Sequence, residues 1–256
     1  MKLKLSIILP LLLFGVVPLA LAQKSIDIRS KVEDSQGERW GLLIGIEDYA
    51  DARVTDLRYS LDDVQSIAEL LRDPKRGAFQ HLKVLTSDAT HPEEQPTRIN
   101  IMRALQNWLP QAKPEDTVLF FFSGHGATDN KDRNYLIPVD AQIDLLEDTA
   151  IQMERLNEIL DDRERVAAKK VIVILDSCHS GAKVGQKAFM VEGKLLDPLF
   201  TDVEGRITFA SCGRDESSYE NEELGRGVFS YYIAEGLKGS GDRDGDGYID
   251  ADELFT

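Results

Sequence analysis

The sequence predicts an α/β fold with a mostly parallel central sheet and helices on both faces. Two short apolar runs, over residues 117–122 and 171–175, indicate strands that are buried on both sides. Strand-like runs alternate along the chain with amphipathic segments of helical period, an order typical of parallel sheets with crossover helices. Each of the two runs leads into a Gly/Ser-rich turn with a reactive side chain, His125 in the first and Cys178 in the second.

The first half of the chain supplies two strand–helix units. Apolar residues predict a first core strand over residues 40–46 and a second strand over residues 81–86. Ser60 is the predicted N-cap of the amphipathic helix between them. Thr97 is the predicted N-cap of a second amphipathic helix, which we expect to end at Pro110.

The second half continues the same alternation. A short extended segment at residues 135–138 precedes a predicted helix over residues 153–160. The strand that leads to Cys178 is followed by a long loop with lysines, and then by a predicted strand over residues 206–211. A last helix is predicted over residues 228–237.

The N-terminus has the pattern of a secretory signal peptide. Lys2 and Lys4 precede an apolar stretch, and Ala20-Leu21-Ala22 fits the small-residue cleavage rule, which makes Gln23 the expected new N-terminus. The alternative is an uncleaved membrane anchor, which the modest length of the stretch disfavours. The predicted organisation is a signal peptide over residues 1–22, a flexible leader over 23–38, the main domain over 39–239 and an acidic loop over 240–256. We therefore expect an exported protein, periplasmic or extracellular.

The charge of the chain limits its partners. The formal net charge is −15, and loss of Lys2 and Lys4 with the signal peptide makes it more negative. A strongly acidic surface argues against nucleic acid as a partner, and against stable association with an anionic membrane after signal cleavage. It suits basic substrates and divalent cations.

His125 and Cys178 form a candidate catalytic pair. Chemistry in open α/β sheets lies just beyond the carboxyl ends of the strands, so the two runs deliver both side chains to one rim. A thiol nucleophile needs a base within reach, and the glycines beside His125 leave backbone N–H groups available. We expect the N–H groups of Gly126 and Cys178 to form an oxyanion hole. Each residue alone also has a structural interpretation. Cys178 could be a small buried apolar residue, and His125 could be a hydrogen-bonded residue in a turn.

Asp176 is a candidate substrate-binding residue. Residues two apart on a strand share a face, so its carboxylate is expected beside the thiol of Cys178. A buried carboxylate at the base of a pocket selects a basic side chain. The alternative is an aspartate at a strand end that bonds its own backbone. A disulfide between Cys178 and Cys212 is disfavoured, because both cysteines follow predicted core strands and one of them lies beside a histidine.

Three segments resemble the caspase-like cysteine peptidases, and in particular the metacaspases and their bacterial relatives. They are Trp40-Gly41-Leu42-Leu43-Ile44-Gly45-Ile46, Ser123-Gly124-His125-Gly126 and Asp176-Ser177-Cys178-His179-Ser180-Gly181. The resemblance implies a caspase–haemoglobinase fold, a Cys-His dyad of Cys178 and His125, and cleavage after Arg or Lys. It also implies that Asp176 and an aspartate on the first helix together bind the basic side chain of the substrate. This second aspartate aligns as Asp63, with Asp62 as the other choice. Metacaspases often bind calcium through paired aspartates before the helix that follows the histidine strand, where this chain has Ile151-Gln152-Met153-Glu154.

A calcium-binding pattern of a different kind lies at the C-terminal end of the sequence. Residues 242–253 match the twelve-residue EF-hand loop, with Gly247 at the sharp turn and Ile249 as the apolar plug. The predicted Ca²⁺ ligands are Asp242, Asp244, Asp246, the backbone carbonyl of Tyr248, Asp250 and Glu253. The alternative is an acidic surface loop that holds no ion.

The functional hypothesis is an exported, calcium-modulated cysteine endopeptidase that cuts after Arg or Lys. Lysines within residues 182–204 make self-cleavage in that loop an expected maturation step. A catalytically silent interaction module that depends on calcium is the main alternative. A Cys-His acyl transferase such as a ligase is the weaker one.

Overall fold

The fold is a three-layer α/β arrangement around a mostly parallel sheet, as the sequence predicts. The computed structural model describes residues 27–28, 37–178, 205–211, 220–221, 226–245, 248–249 and 251–254. Its strands are β1 (Asp27–Ile28), β2 (Arg39–Gly45), β3 (His81–Thr86), β4 (Thr117–Thr128), β5 (Asn134–Leu136), β6 (Ile151–Gln152), β7 (Lys170–Cys178), β8 (Arg206–Ala210), β9 (Glu220–Asn221), β10 (Arg226–Gly227) and β11 (Tyr248–Ile249). Its α-helices are α1 (Ser60–Arg72), α2 (Arg98–Arg103), α3 (Leu146–Thr149), α4 (Met153–Asp161), α5 (Val228–Glu235) and α6 (Ala251–Leu254).

Within these described ranges, five parallel strands make the body of the sheet, in the order β3-β2-β4-β7-β8. The strand β4 is long enough to change neighbours. Its first part pairs with β2 and β7, and its last residues pair antiparallel with β5, which in turn pairs antiparallel with β6. This extension carries β4 beyond the rim where the parallel pairing of β2 ends.

The core lies on both faces of the sheet, which explains why the strands read as continuous apolar runs. Phe120 and Phe122 point to the face covered by α2 and α4, whereas Leu119 and Phe121 point to the face covered by α1 and α5. All four side chains are completely buried. The alternation of side chains therefore divides one strand between two apolar clusters.

Several local expectations are wrong in detail. Ser60 is not an N-cap but the first residue of α1, because Tyr59 holds the cap position. His125 does not lie in a turn: the Ser-Gly-His-Gly segment continues β4, since β5 offers it a new hydrogen-bonding neighbour.

The expectation for Thr97 is confirmed, as its hydroxyl accepts a hydrogen bond from the N–H of Asn100. The helix it starts runs past Pro110, through a π-helical and a 3₁₀ turn that ends at Gln111.

The segments at the two ends of the sequence meet in a small pairing. Asp27 and Ile28 of β1 pair in parallel with Tyr248 and Ile249 of β11, so these two residues of the predicted flexible leader form a strand. Glu220–Asn221 pairs antiparallel with Arg226–Gly227 just before α5 begins. Among the described helices, none has both the length and the apolar character that crossing a bilayer requires. The predicted signal peptide lies outside the described residues.

Candidate active site

The two reactive positions face each other across neighbouring strands. In the pairing of β4 with β7, His125 lies opposite Cys178, and two residues earlier Ser123 lies opposite Asp176. The two strands are parallel and buried, and their pairing ends with these two positions at the carboxyl-end rim of the parallel sheet, although β4 itself continues to Thr128. The register brings the predicted dyad positions together, although nothing in the sequence of either strand specifies that register by itself.

The imidazole of His125 is held by the loop that joins β2 to α1. Its Nε2 lies 2.7 Å from the backbone carbonyl oxygen of Thr55, and the side chain is only 2% exposed. A carbonyl oxygen accepts only, so Nε2 carries the proton in this hydrogen bond. The other ring nitrogen, Nδ1, is then the one that can accept a proton when the imidazole is neutral.

The N–H of Gly126 points to the side of β4 where Cys178 lies. Ser123 and His125 direct their carbonyl oxygens towards β2 and β5, because these accept from the N–H groups of Ile46 and Ile137. The N–H and C=O groups of successive strand residues alternate between the two edges, so the Gly126 N–H points towards β7. This orientation fits the predicted role of Gly126 in an oxyanion hole.

Asp63 and Asp176 form a buried pair of carboxylates beside this rim. Each side chain is 3% exposed, and Asp63 rather than Asp62 is the aspartate of α1 that turns inward, because Asp62 is exposed. A Cβ atom added to Gly227 would lie 2.7 Å from Asp63 Oδ2 and 2.9 Å from Asp176 Oδ2. The two carboxylates thus meet next to the backbone of Gly227.

Hydrogen bonds from three elements fix this pair. The hydroxyl of Ser230 on α5 donates to Asp176 Oδ2 at 2.6 Å, and its backbone N–H donates to the same oxygen at 3.1 Å. The N–H of Gly227 donates to Asp63 Oδ1 at 3.2 Å, and the Ser123 hydroxyl to Asp63 Oδ2 at 3.3 Å. The Asp176 carboxylate is therefore bonded to α5 across the fold, and not only to its own backbone.

Burial and mutual repulsion set the charge of the pair. Loss of water around Asp63, with the nearby Asp176 charge as the next cause, raises the pKa of Asp63 to about 8. Hydrogen bonds from Gly227 and Ser123 and the charge of Arg226 oppose this rise without cancelling it. Asp63 therefore keeps its proton at neutral pH.

The acidic loop gathers three of its predicted ligands. Asp242, Asp244 and Glu253 each place a carboxylate oxygen within 4.8 Å of the others. Backbone N–H groups of Arg243 and Asp244 donate to Glu253 Oε1, at 2.9 and 3.3 Å. Three converging carboxylate oxygens are the hard donors that Ca²⁺ prefers, so the described residues fit the ion.

The other predicted positions of the loop are placed in part or not at all. Asp246 and Asp250 lie outside the described residues, and Tyr248 is described by its backbone in β11. Ile249 is 1% exposed, as expected of the apolar plug. His179, Cys212 and the lysine-bearing loop over residues 182–204 also lie outside the described residues.

Sequence reasoning missed five groups at the site. They are the Thr55 carbonyl, the Tyr49 hydroxyl that accepts from the His125 N–H at 2.8 Å, Ser123, Gly227 and Ser230. A backbone carbonyl has no sequence signal at all. The others are identifiable only from contacts between segments far apart in the chain, since Ser230 is 54 residues from Asp176.

The fold and the site positions together define a caspase-like α/β domain. The model of the family described as metacaspase, peptidase C14 domain, matches residues 39–186, more than half of the chain. The chain belongs to this family. The match includes both the His125 and the Cys178 strands.

Curated metacaspases of fungi show the same relationship. The chain is 30% identical over 209 residues to metacaspase-1A of Aspergillus niger, covering 74% of this chain and 48% of the relative. It is 29% identical over 186 residues to metacaspase-1 of Coccidioides immitis, covering 66% of this chain and 37% of the relative. The chain thus spans less than half the length of these relatives.

A solved structure supports the fold alone. The crystal structure of a protein from Geobacter sulfurreducens superposes with a TM-score of 0.56 at 16% sequence identity, and covers 78% of this chain and 82% of that chain. The expected caspase-like α/β fold is confirmed.

Proposed function

We propose that this domain is a cysteine endopeptidase that hydrolyses polypeptides after Arg or Lys, with Cys178 as nucleophile and His125 as proton carrier. The observation that carries the proposal is the register of β4 and β7, which sets His125 opposite Cys178 with the Asp63–Asp176 pair beside them. Membership of a peptidase family supports the class of reaction and the polypeptide substrate. The acidic pair supports the basic residue before the scissile bond.

The reaction follows the usual steps of a Cys-His pair. Nδ1 of His125 takes the proton of the Cys178 thiol, and the thiolate sulfur attacks the carbonyl carbon of the scissile bond. The N–H groups of Gly126 and Cys178 stabilise the oxyanion that forms. The imidazolium then gives its proton to the leaving amine, and a water molecule hydrolyses the thioester with His125 as base.

The Asp63–Asp176 pair receives the basic side chain of the substrate. A guanidinium or ammonium group placed between the two carboxyl groups favours the ionised form of Asp63 and displaces its proton, so that both carboxylates then attract the cation. The acidic chain as a whole, with its net charge of −15, attracts basic polypeptides at longer range.

The test is hydrolysis of matched fluorogenic peptides that end in Arg, Lys or Asp. We expect cleavage after Arg and Lys, none after Asp, and complete loss in Cys178→Ala. Product analysis with an added amine separates hydrolysis from acyl transfer. If folded protein with a reactive thiol cleaves none of the peptides, the peptidase proposal is wrong and a silent interaction module takes its place.

We also propose that Ca²⁺ binds the C-terminal loop and modulates the enzyme. Asp242, Asp244 and Glu253 would hold the ion, with Asp246, Asp250 and the Tyr248 carbonyl completing an EF-hand set. The bound ion would neutralise these carboxylates and lock the loop. Ile249 and Leu254 lie against the turn that follows α5, since Cβ atoms added at Gly241 and Gly236 would come within 3.3 and 2.7 Å of them.

The calcium proposal is tested by thermal unfolding with and without Ca²⁺. Binding at about 100 times Kd stabilises the native state by about 2.7 kcal/mol, which raises the melting temperature by several degrees. Glu253→Gln should abolish this rise, whereas Glu93→Gln on an exposed turn should keep it. An equal rise in Glu253→Gln would refute the EF-hand assignment.

Export and self-processing complete the proposed maturation. Secretion in the native host should yield a chain that begins at Gln23, which N-terminal sequencing checks. Wild-type protein should become nicked within residues 182–204, and Cys178→Ala should stay intact. A purified Cys178→Ala chain that becomes nicked there on its own would refute self-processing.

A further inference from the structure

His125 lies where β4 exchanges one neighbour for another. Pairing with β2 ends at Ser123, and pairing with β5 begins at Gly126. The N–H of His125 falls between the two ladders, and a buried N–H requires an acceptor. The hydroxyl oxygen of Tyr49, in the loop after β2, accepts it at 2.8 Å.

Tyr49 is itself fixed at both ends. Its backbone N–H donates to Asp56 Oδ1 at 3.2 Å, and its hydroxyl donates to the carbonyl oxygen of Ile46 at 3.4 Å. Its ring centre lies 5.1 Å from that of His125. A Cβ atom added at Gly124 would lie 3.1 Å from the hydroxyl oxygen, so β4 packs closely against it. The phenol therefore defines the position of the His125 backbone.

A second contact of the same loop holds the imidazole ring. The backbone carbonyl of Thr55 accepts a hydrogen bond from Nε2 of His125. Because Thr55 itself is exposed, its own side chain does not anchor it in the core, and the position of its carbonyl depends on the contacts of neighbouring loop residues. Arg53, two residues earlier, donates to both oxygens of Asp51 at 2.8 and 2.6 Å and to Asp144 at 2.6 Å. Val54 between them is buried in an apolar cluster.

The Arg53 clamp connects the loop to a different part of the fold. Asp51 Oδ2 also accepts from the backbone N–H of Ile143, and the Arg53 hydrogen bonds hold the pKa of Asp51 well below its usual value. A carboxylate that stays ionised keeps both the guanidinium and the Ile143 N–H in place. The loop around Thr55 is thus fastened to residues 143–144.

We propose that Tyr49 and Arg53 are positioning residues for His125: the Tyr49 hydroxyl fixes its backbone, and the Arg53 clamp fixes the Thr55 carbonyl that orients its ring. The inference rests on the proposed function of His125 as proton carrier. Neither residue contacts the substrate in this assignment. Their loss misplaces the imidazole and leaves the Asp63–Asp176 pocket intact.

The test compares Tyr49→Phe and Arg53→Met with matched controls on an Arg peptide. Tyr49→Phe keeps the ring and loses only the hydroxyl, and we expect kcat to fall about 100-fold with KM unchanged, because small misplacements of a catalytic group cost this much. Arg53→Met should lower kcat about tenfold, and Arg53→Lys less, since it keeps the charge without the planar fork. The controls are Tyr232→Phe, at a residue 65% exposed, and Arg155→Met, which loses one exposed ion pair.

A second readout reports His125 without any substrate. Alkylation of Cys178 by iodoacetamide at one neutral pH should slow in Tyr49→Phe and Arg53→Met and stay unchanged in both controls. In wild-type protein labelled with ¹⁵N-histidine, NMR should show His125 in the Nε2–H tautomer. A mixture of tautomers in wild type would overturn the proposal, whether or not the variants fold.

The outcomes separate the two levels of inference. Folded Tyr49→Phe and Arg53→Met with wild-type kcat would overturn the positioning roles, as would a rise in KM at constant kcat. Cleavage that survives in His125→Ala and Cys178→Ala would instead overturn the proposed function. The remaining outcome is that cleavage is lost in His125→Ala and Cys178→Ala, while kcat is unchanged in Tyr49→Phe and Arg53→Met. This outcome would support the proposed function and refute only the positioning roles.

Discussion

The rim that carries His125 and Cys178 and the proposed substrate pocket at Asp63 and Asp176 adjoin each other but are built differently. Backbone hydrogen bonds between β4 and β7 place the two rim positions opposite each other. The proposed pocket instead consists of side chains from α1, β7 and α5, with the carboxyl groups of Asp63 and Asp176 buried against each other. The rim requires little beyond the pairing of the sheet itself, whereas the burial of two adjacent carboxyl groups removes them from water and favours the protonated form of Asp63.

The difference implies that the two regions respond to different perturbations. Strand register is insensitive to pH and to substitution of one side chain, because many ladder bonds share it. The pocket depends on a few hydrogen bonds from Gly227, Ser230 and Ser123 and on the protonation of Asp63. Substitutions in the rim should therefore change kcat for every peptide, and substitutions in the pocket should change KM for basic peptides alone.

The largest effect is expected from His125→Ala. Loss of the proton carrier should lower kcat about 10³-fold for Arg and Lys peptides alike, with KM nearly unchanged. Steady-state kinetics measure both constants. A rise in KM that differs between the two peptides would show that His125 belongs to the pocket rather than to the rim, and would break the distinction.

Asp176→Asn should produce the next largest effect. Removal of one buried charge from a charge pair costs about 2–5 kcal/mol, which raises KM for an Arg peptide about 100-fold. Ser230 can still donate to the amide oxygen, so folding should persist. Alkylation of Cys178 serves as the control and should keep its wild-type rate. Slower alkylation would mean that Asp176 also acts on the thiol.

The pH dependence of KM follows from the protonation of Asp63. A bound cation favours the ionised carboxylate, so binding of an Arg peptide expels the Asp63 proton below pH about 8. KM should fall by up to about tenfold per unit as the pH rises towards 8 and level off above it. Asp63→Asn should remove this slope. A slope that persists in Asp63→Asn would assign the titration to another group.

The last effect concerns stability. The folded state holds the Asp63 proton up to pH about 8, whereas the unfolded chain releases it near 3.8, the ordinary pKa of an aspartate. The unfolded state binds fewer protons between these values, so the free energy of unfolding falls as the pH rises, by at most about 1.4 kcal/mol per unit. Denaturant titrations across this window should show a shallower dependence in Asp63→Asn. Equal slopes would contradict the assigned burial cost.

The sequence by itself determined the layered α/β fold and the positions of the two reactive strands. Apolar runs bounded by glycine, and helical periodicity between them, are local properties that survive without knowledge of contacts. It also predicted that Asp63 and Asp176 act together, through resemblance to known peptidases. The twelve-residue spacing of the acidic loop defined a calcium pattern in the same local way.

Tertiary structure alone decided how the site is held. The β4 segment around His125 continues as a strand instead of turning because β5 pairs with it, and β5 folds back from later residues. The Thr55 carbonyl, the Tyr49 hydroxyl and the Ser230 hydroxyl reach the site from loops and helices far along the chain. Such contacts depend on the packing of whole elements, and a backbone carbonyl is common to all residues. The sequence therefore names the reactive groups, while the fold supplies the groups that orient them.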